Sequence, residues 1–355
     1  DVSNNLSSGV SVIYSNFGDF AALKTDGSVV TWGRSGYGGD SSSVSSSLSI
    51  GSGVSVIYSN YGAFAALKTD GSVVTWGRSS YGGNSSDVSN NLSSDVLAIY
   101  STAGAFAALK ADGSVVTWGG PNSGGDSCVG GGWPDYACVD ISSSLSSGVS
   151  VIYSTDTAFA ALKTDGSVVT WGQGWNGGDS SSVSSSLSSG VSKIYSNKSA
   201  FVALKTDESV VTWGDSDRGG DSSSVSSSLT SGSGVSEIVG NNYAFAALKD
   251  NGSVVTWGHQ SLGGDSSSVS SSLSSGVSVI YTFGPAFAAL KTDGSVVTWG
   301  NSSYGGDSSS VSSLLSSGVS VIYSTFGALA ALKTDGSVVT WGKSDYGGDS
   351  SGVDF

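Results

Sequence analysis

The chain has 355 residues, 38% of them apolar and ten of them Trp, enough to bury a substantial core. Only 12% are charged, and a formal net charge of −14 repels phosphate backbones, which argues against nucleic acid as a partner. No apolar run approaches the ~20 residues that span a bilayer; with no methionine anywhere, the chain is expected to be a processed or excised piece whose targeting signal lies outside it.

The dominant feature is repetition. Trp32, Trp76, Trp118, Trp171, Trp213, Trp257, Trp299 and Trp341 each sit in "TWG", at steps of 44, 42, 53, 42, 44, 42 and 42 residues. Eight copies with a period near 43 indicate a propeller, solenoid or helical array. In copy two the first predicted element is the strand "VSVIYS", Val54 to Ser59, whose apolar and polar residues alternate only loosely. Ala63 to Thr69 and Ser72 to Gly77 then flank Asp70-Gly71 and read as a hairpin on a two-residue type I′ turn. That turn predicts Leu67 opposite Val74 and Ala65 opposite Trp76, a small residue facing a large one across the strands. Six copies carry Asp-Gly at the turn and one carries Asn251-Gly252. Asp207-Glu208 is the exception, and because Glu tolerates positive φ poorly, a strained or differently shaped turn is expected there.

The Ser-rich segment that follows, "GGDSSSVSSSLSSG", predicts a short helical turn capped by Asp or Ser and ended by Gly, with a short outer strand near "GGD". Apolar residues on both faces of the strands imply sheets covered on both sides. Radial stacking of such sheets predicts an all-β fold, a closed eight-bladed β-propeller forming one domain over 1–355, with short helical turns between blades. The opening "DVSNNLSSGV" matches the segment Asp87 to Val96, so residues 1–10 are expected to complete the last blade and close the ring.

At this point a family resemblance is visible. "GVxxI…xxALKxDGSVxxWG" resembles the repeat of the regulator-of-chromosome-condensation propeller family, over all eight copies, and is closest in style to its short-repeat secreted members. The family commonly has seven blades and often a His before its Ala-Leu pair; here there are eight copies, and the single His is His259, elsewhere in the repeat. The founder's nucleotide-exchange and chromatin-binding functions do not carry over, because no matching residues are present and the charge is of the wrong sign. The resemblance implies a propeller that binds another macromolecule through loops on one face.

The candidate residues divide by repeat position. With a single His and no nucleophile elbow, no catalytic constellation can be assembled, so no enzyme activity, metal site or cofactor is expected. The "GGD" aspartates (Asp40, Asp126, Asp179, Asp221, Asp265, Asp307 and Asp349, with Asn84 in copy two) read as cap or turn formers rather than calcium ligands. Lys24, Lys68, Lys110, Lys163, Lys205, Lys249, Lys291 and Lys333 share one position and read as solvated strand ends. Two windows vary while the frame stays fixed. One lies between "TWG" and "GG" and brings Tyr37, Tyr81, Trp175, Arg218, His259, Tyr304 and Tyr346; the other lies between "IYS" and "AF". Loops that change on a fixed frame are where binding diversity is placed, and this residue mix suits recognition.

Copy three is longer, with 53 residues to the next "TWG". Its insert holds Cys128 and Cys138, the only cysteines, around "VGGGWPDYA". The pair reads as a disulfide, which implies an extracellular or cell-surface setting and a pinned tip of Trp133, Asp135 and Tyr136, with two free thiols in a cytosolic protein as the alternative. The expected function is a non-catalytic extracellular propeller that binds a protein or glycan at the cell surface or matrix through these residues. A structural scaffold module capable of self-assembly and a lectin are the alternatives. Neither nucleic-acid binding nor membrane insertion is expected.

Overall fold

Each copy folds into a three-stranded antiparallel sheet, and eight such sheets are found within residues 4–129 and 139–352, which the computed structural model describes. In copy two the strands are Val54–Ser59, Ala63–Lys68 and Val73–Gly77, in that spatial order. The chain divides into two compact units, Asp1–Ser189 and Gly190–Phe355, each holding four sheets. The Ser-rich segments form 3-10 turns, such as Ser42–Leu48 and Ser86–Val88, as their helical spacing suggests. No regular strand forms at "GGD" in the seven copies without the insert, among the described residues.

The hairpin register differs from the sequence expectation by one residue. Leu67 pairs with Val73, Ala66 with Val74, Ala65 with Thr75 and Phe64 with Trp76. The turn is a three-residue loop, Thr69-Asp70-Gly71. The Lys68 N–H donates to Ser72 O (2.9 Å), and the Gly71 N–H donates to Lys68 O (3.0 Å). Only Gly71 takes positive φ (+77°), so this is a type I turn closed by a glycine bulge, not a type I′ turn. Asp70 favours this form because its Oδ1 accepts from both the N–H (2.9 Å) and the hydroxyl (2.7 Å) of Ser72.

The one-residue shift changes which side chains meet. Trp76 lies against Phe64 across the strands, ring centroids 5.3 Å apart, rather than against Ala65. The match of small to large occurs between sheets instead. Ala63, Ala65 and Leu67 of copy two receive Phe106 and Trp118 of copy three, with Leu92 of the intervening Ser-rich segment filling the edge. The same set recurs one copy earlier, where Ala21, Leu23 and Leu48 meet Phe64 and Trp76. Both faces of an internal sheet are therefore covered, as expected. Full burial of each linker leucine, such as Leu92 at 2% exposure, stabilises by roughly 2 kcal/mol.

The loose alternation of the first strand has a local cause. A bulge falls between Val54 and Val56. Ser55 stands at the bulge and returns its hydroxyl to Leu67 O (3.0 Å). Val54 and Ile57, three residues apart, thereby reach the same core.

Asp207-Glu208 keeps the common turn instead of reshaping it, and Glu208 is held at φ +68°. The strain is tolerated because the linker of its copy is longer. At Gly71, Gly113, Gly252 and Gly294 a Cβ would stand 2.6 to 2.8 Å from a backbone nitrogen of the next linker, whereas at Gly27 that distance is 3.4 Å. Copies one and five are the two with 44-residue steps. In copy five the space admits Glu208, whose carboxylate accepts from the Gly234 N–H (2.9 Å) while its carbonyl accepts from the Ser233 hydroxyl (2.7 Å).

The insert in copy three is built from a short stem. Cys128–Val129 and Val139–Asp140 form a two-rung antiparallel ladder, and Val129 pairs in parallel with Gly172, so the stem extends the fourth sheet to five strands. Cys138, Trp133, Asp135 and Tyr136, and with them the expected disulfide, lie outside the described residues.

Candidate functional site

The two variable windows lie at the same end of each sheet. The second window is the loop from first to second strand; the first window is the 3-10 turn that follows the third strand, Ser79–Tyr81 in copy two. The two are locked together. Asn60 Nδ2 donates to Tyr81 O (2.7 Å), while Asn60 Oδ1 accepts from the N–H groups of Gly62 (3.1 Å) and Ala63 (3.0 Å). Asn16, Asn197 and Asn241 repeat this bridge to Tyr37, Arg218 and Leu262, and Thr102, Thr155 and Thr325 make it with a hydroxyl. The opening residue of the second window is thus structural, which sequence reading missed. Its signal was available: seven copies have only Asn or Thr there, and the eighth has Phe283, which is buried.

Neighbouring loops are also joined. In the first unit the Tyr61 N–H donates to Ala103 O (3.2 Å), and the Ala103 N–H to Asp156 O (2.7 Å). The residues left to face solvent are the variable ones. Phe17 is 76% exposed, Tyr61 52% and Trp175 75%.

The predicted residues fall into stacks of cation and ring. The Arg34 guanidinium lies 5.7 Å from the Phe17 ring centre and 5.6 Å from that of Tyr37. Arg78 continues the stack, 5.3 Å from both Tyr37 and Tyr81, and donates from Nη1 to the Tyr37 hydroxyl (2.9 Å). Gly62 lies between the two tyrosines; a Cβ there would meet Tyr81 at 3.1 Å and Tyr37 at 3.3 Å. In the second unit Lys343 Nζ stands 5.6 Å from the Tyr304 ring and 5.0 Å from that of Tyr346, with Phe326 beside both tyrosines. Arg218 covers Tyr243 at 5.5 Å and pairs with Asp215 at 3.5 Å. His259 meets Tyr243 edge-on at 6.5 Å. Trp175 stands on its own 3-10 turn, Gly174–Asn176.

The remaining sequence candidates are structural. The hairpin aspartates bind the serine two residues on, and those hydrogen bonds hold the carboxyls of Asp26, Asp70, Asp112, Asp165, Asp207, Asp293 and Asp335 below the ordinary range, with the serine hydroxyl the largest cause. Among the "GGD" aspartates, Asp40, Asp265, Asp307 and Asp349 are likewise held low, chiefly by the backbone N–H of the serine two residues on, as in the bond from Ser42 N–H to Asp40 (2.9 Å). Asp126 differs: burial raises its carboxyl. Five of the repeat lysines tie down linkers: Lys24, Lys110, Lys163, Lys291 and Lys333 donate to linker carbonyls 19 residues earlier.

Among solved structures the chain is similar to yeast RCC1 (Prp20) bound to Kap60, at 14% identity and a TM-score of 0.39, over 71% of this chain and 70% of that one. It is also similar to the ectodomain of the Physcomitrella patens receptor kinase CR4, at 14% identity and a TM-score of 0.37, over 77% of this chain and 64% of that one. A third similar structure is the computationally designed protein Ika8, at 14% identity and a TM-score of 0.34, over 94% of this chain and 96% of that one. No protein-family model matches the sequence, and no curated protein matches it.

Proposed function

We propose that this chain is a non-catalytic extracellular binding protein that holds a protein partner on the variable loop ends of its sheets. The observation that carries this is the exposure of Phe17, Tyr61 and Trp175 on loops that a rigid, repeated frame fixes from below. Large rings and guanidiniums set on such loops are the residues that dominate protein interfaces. Panning a random dodecapeptide library on the intact chain and footprinting the enriched peptides tests it. Protection is expected at Phe17, Tyr61 and Trp175; protection confined to strand faces contradicts it.

Two further elements belong to this proposal. The first is closure of the eight sheets into one ring by residues 1–10. In the first unit Phe20 is 42% exposed, where its equivalents Phe64, Phe106 and Phe159 are at 0%, so the first sheet has an apolar face in want of a cover. Deleting residues 1–8 is expected to lower the melting temperature markedly; an unchanged value opposes closure. The second is the extracellular setting, which follows from a Cys128–Cys138 disulfide. Intact-mass measurement before and after reduction checks it, and free thiols in the purified native protein contradict it.

A second reading, a lectin, is favoured by one observation. Hydroxyl-lined grooves recur between copies, one of about 660 Å3 by Ser42, Thr75 and Ser85, another of about 450 Å3 by Ser268, Thr298 and Ser308. A glycan array with no bound sugar removes it.

A further inference from the structure

Of the fourteen basic residues, eight are the repeat lysines, which stand at strand ends away from the windows. All three arginines lie in the first window. Arg218 is neutralised by Asp215. Arg34 and Arg78 are both exposed and have no carboxylate within ion-pair distance among the described residues. Rings cover the faces of their guanidiniums, and Arg78 uses one N–H on Tyr37. What remains is the outward edge of each planar fork, held in place by stacking and matched in shape to a carboxylate.

We propose that Arg34 and Arg78 each offer a carboxylate site that takes an Asp or Glu side chain from a protein partner of net basic character, with Phe17 and Tyr61 as apolar anchors beside them. This rests on the protein-binding reading above. Phe17 lies beside Arg34, and the Tyr61 ring centre is 6.4 Å from that of Phe17. The overall charge chooses the kind of partner. A polyanionic glycan would meet two guanidiniums on a molecule of net charge −14 and be repelled along the rest of its length. A folded protein carries both signs, so its basic surroundings are attracted while one carboxylate enters the fork. Lys343 occupies the corresponding place in the second unit, but an ammonium offers a point charge and no fork, so the two arginines carry the discrimination.

The probes are dodecapeptides selected from a random library on the intact chain, each resynthesised with Gln or Asn in place of Glu or Asp. Selected peptides are expected to place an acidic residue among Lys or Arg, and the amide versions to bind about tenfold more weakly, as loss of a charge-assisted pair implies. Arg34→Gln with Arg78→Gln, checked for an unchanged melting temperature, is expected to bind acidic and amide versions alike. Amide peptides that bind the intact chain as well as acidic ones overturn the inference, as does a double variant that still prefers the acid. Retention on immobilised heparin that disappears in the double variant also overturns it, by assigning the site to a polyanionic glycan. If binding is lost in Phe17→Ser with Tyr61→Ser but ignores both arginines, this inference alone fails; if it ignores all four positions, the protein-binding reading fails at this face too.

Discussion

The indole N–H of Trp76 donates to the carbonyl of Gly38, 3.1 Å away in the preceding copy. Trp118, Trp257, Trp299 and Trp341 make the same bond to Gly82, Gly219, Gly263 and Gly305. The "TWG" and "GG" motifs are therefore two halves of one inter-copy joint. Trp76→Phe keeps the stack on Phe64 but leaves a buried carbonyl unpaired, which costs about 1–3 kcal/mol. Urea unfolding is expected to show a lower midpoint than for the native chain. An unchanged midpoint contradicts the joint.

The two linker lengths make a graded prediction. Gly27→Ala carries only the cost of a Cβ at positive φ, about 1–2 kcal/mol. Gly71→Ala adds a clash, with its Cβ 2.7 Å from Asp95 N. Thermal melts are expected to rank native above Gly27→Ala above Gly71→Ala, and equal losses would refute the role given to linker length.

Asp19 stands where the other seven copies have Ala. It is buried, its Oδ1 accepts from the Arg34 backbone N–H, and its Oδ2 has no partner among the described residues. Elsewhere that N–H bonds a window carbonyl, as Arg78 N does with Gly62 O (2.8 Å). Asp19→Ala removes an unpartnered buried oxygen and restores the common bond. It is expected to stabilise the protein by about 1–3 kcal/mol, read as a higher melting temperature.

Acid should loosen the turns. The seven hairpin aspartates titrate below their ordinary range, because serine hydroxyl and N–H groups bind the ionised form. Near pH 4 the folded chain then holds fewer protons at these sites than the unfolded one. Their stabilisation is complete above the ordinary carboxylate value of about 3.9 and is lost as pH falls through the lowered folded values. Asp126 works in the opposite sense, its burial cost relieved by protonation. Circular dichroism melts are expected to be level from pH 8 to 5 and to fall below pH 4.

The repeat, the three strands per copy and the two windows were legible in the sequence, because a strict frame makes every departure visible. The register was not. Asp-Gly signals both the two-residue turn and the three-residue turn with a glycine bulge, and only the hydrogen bonds of Lys68, Asp70 and Ser72 decide between them. That single residue reverses which side chains share a face, so Ala65 turned out to receive a ring from the next sheet rather than from its own. The aromatic residues of the site could be found by their variation. Their stacking on Arg34, Arg78 and Lys343 could not, since it joins one copy to the next, 44 residues apart in the case of Tyr37 and Tyr81.

The central claim, that the frame folds and the windows bind, can be tested by one comparison. Phe17, Tyr61 and Trp175 are replaced together by Ser, and peptide binding and thermal unfolding are measured side by side. The account predicts a melting temperature unchanged within a few degrees and loss of binding by the peptides selected on the native chain. Full retention of that binding by a folded variant would contradict it.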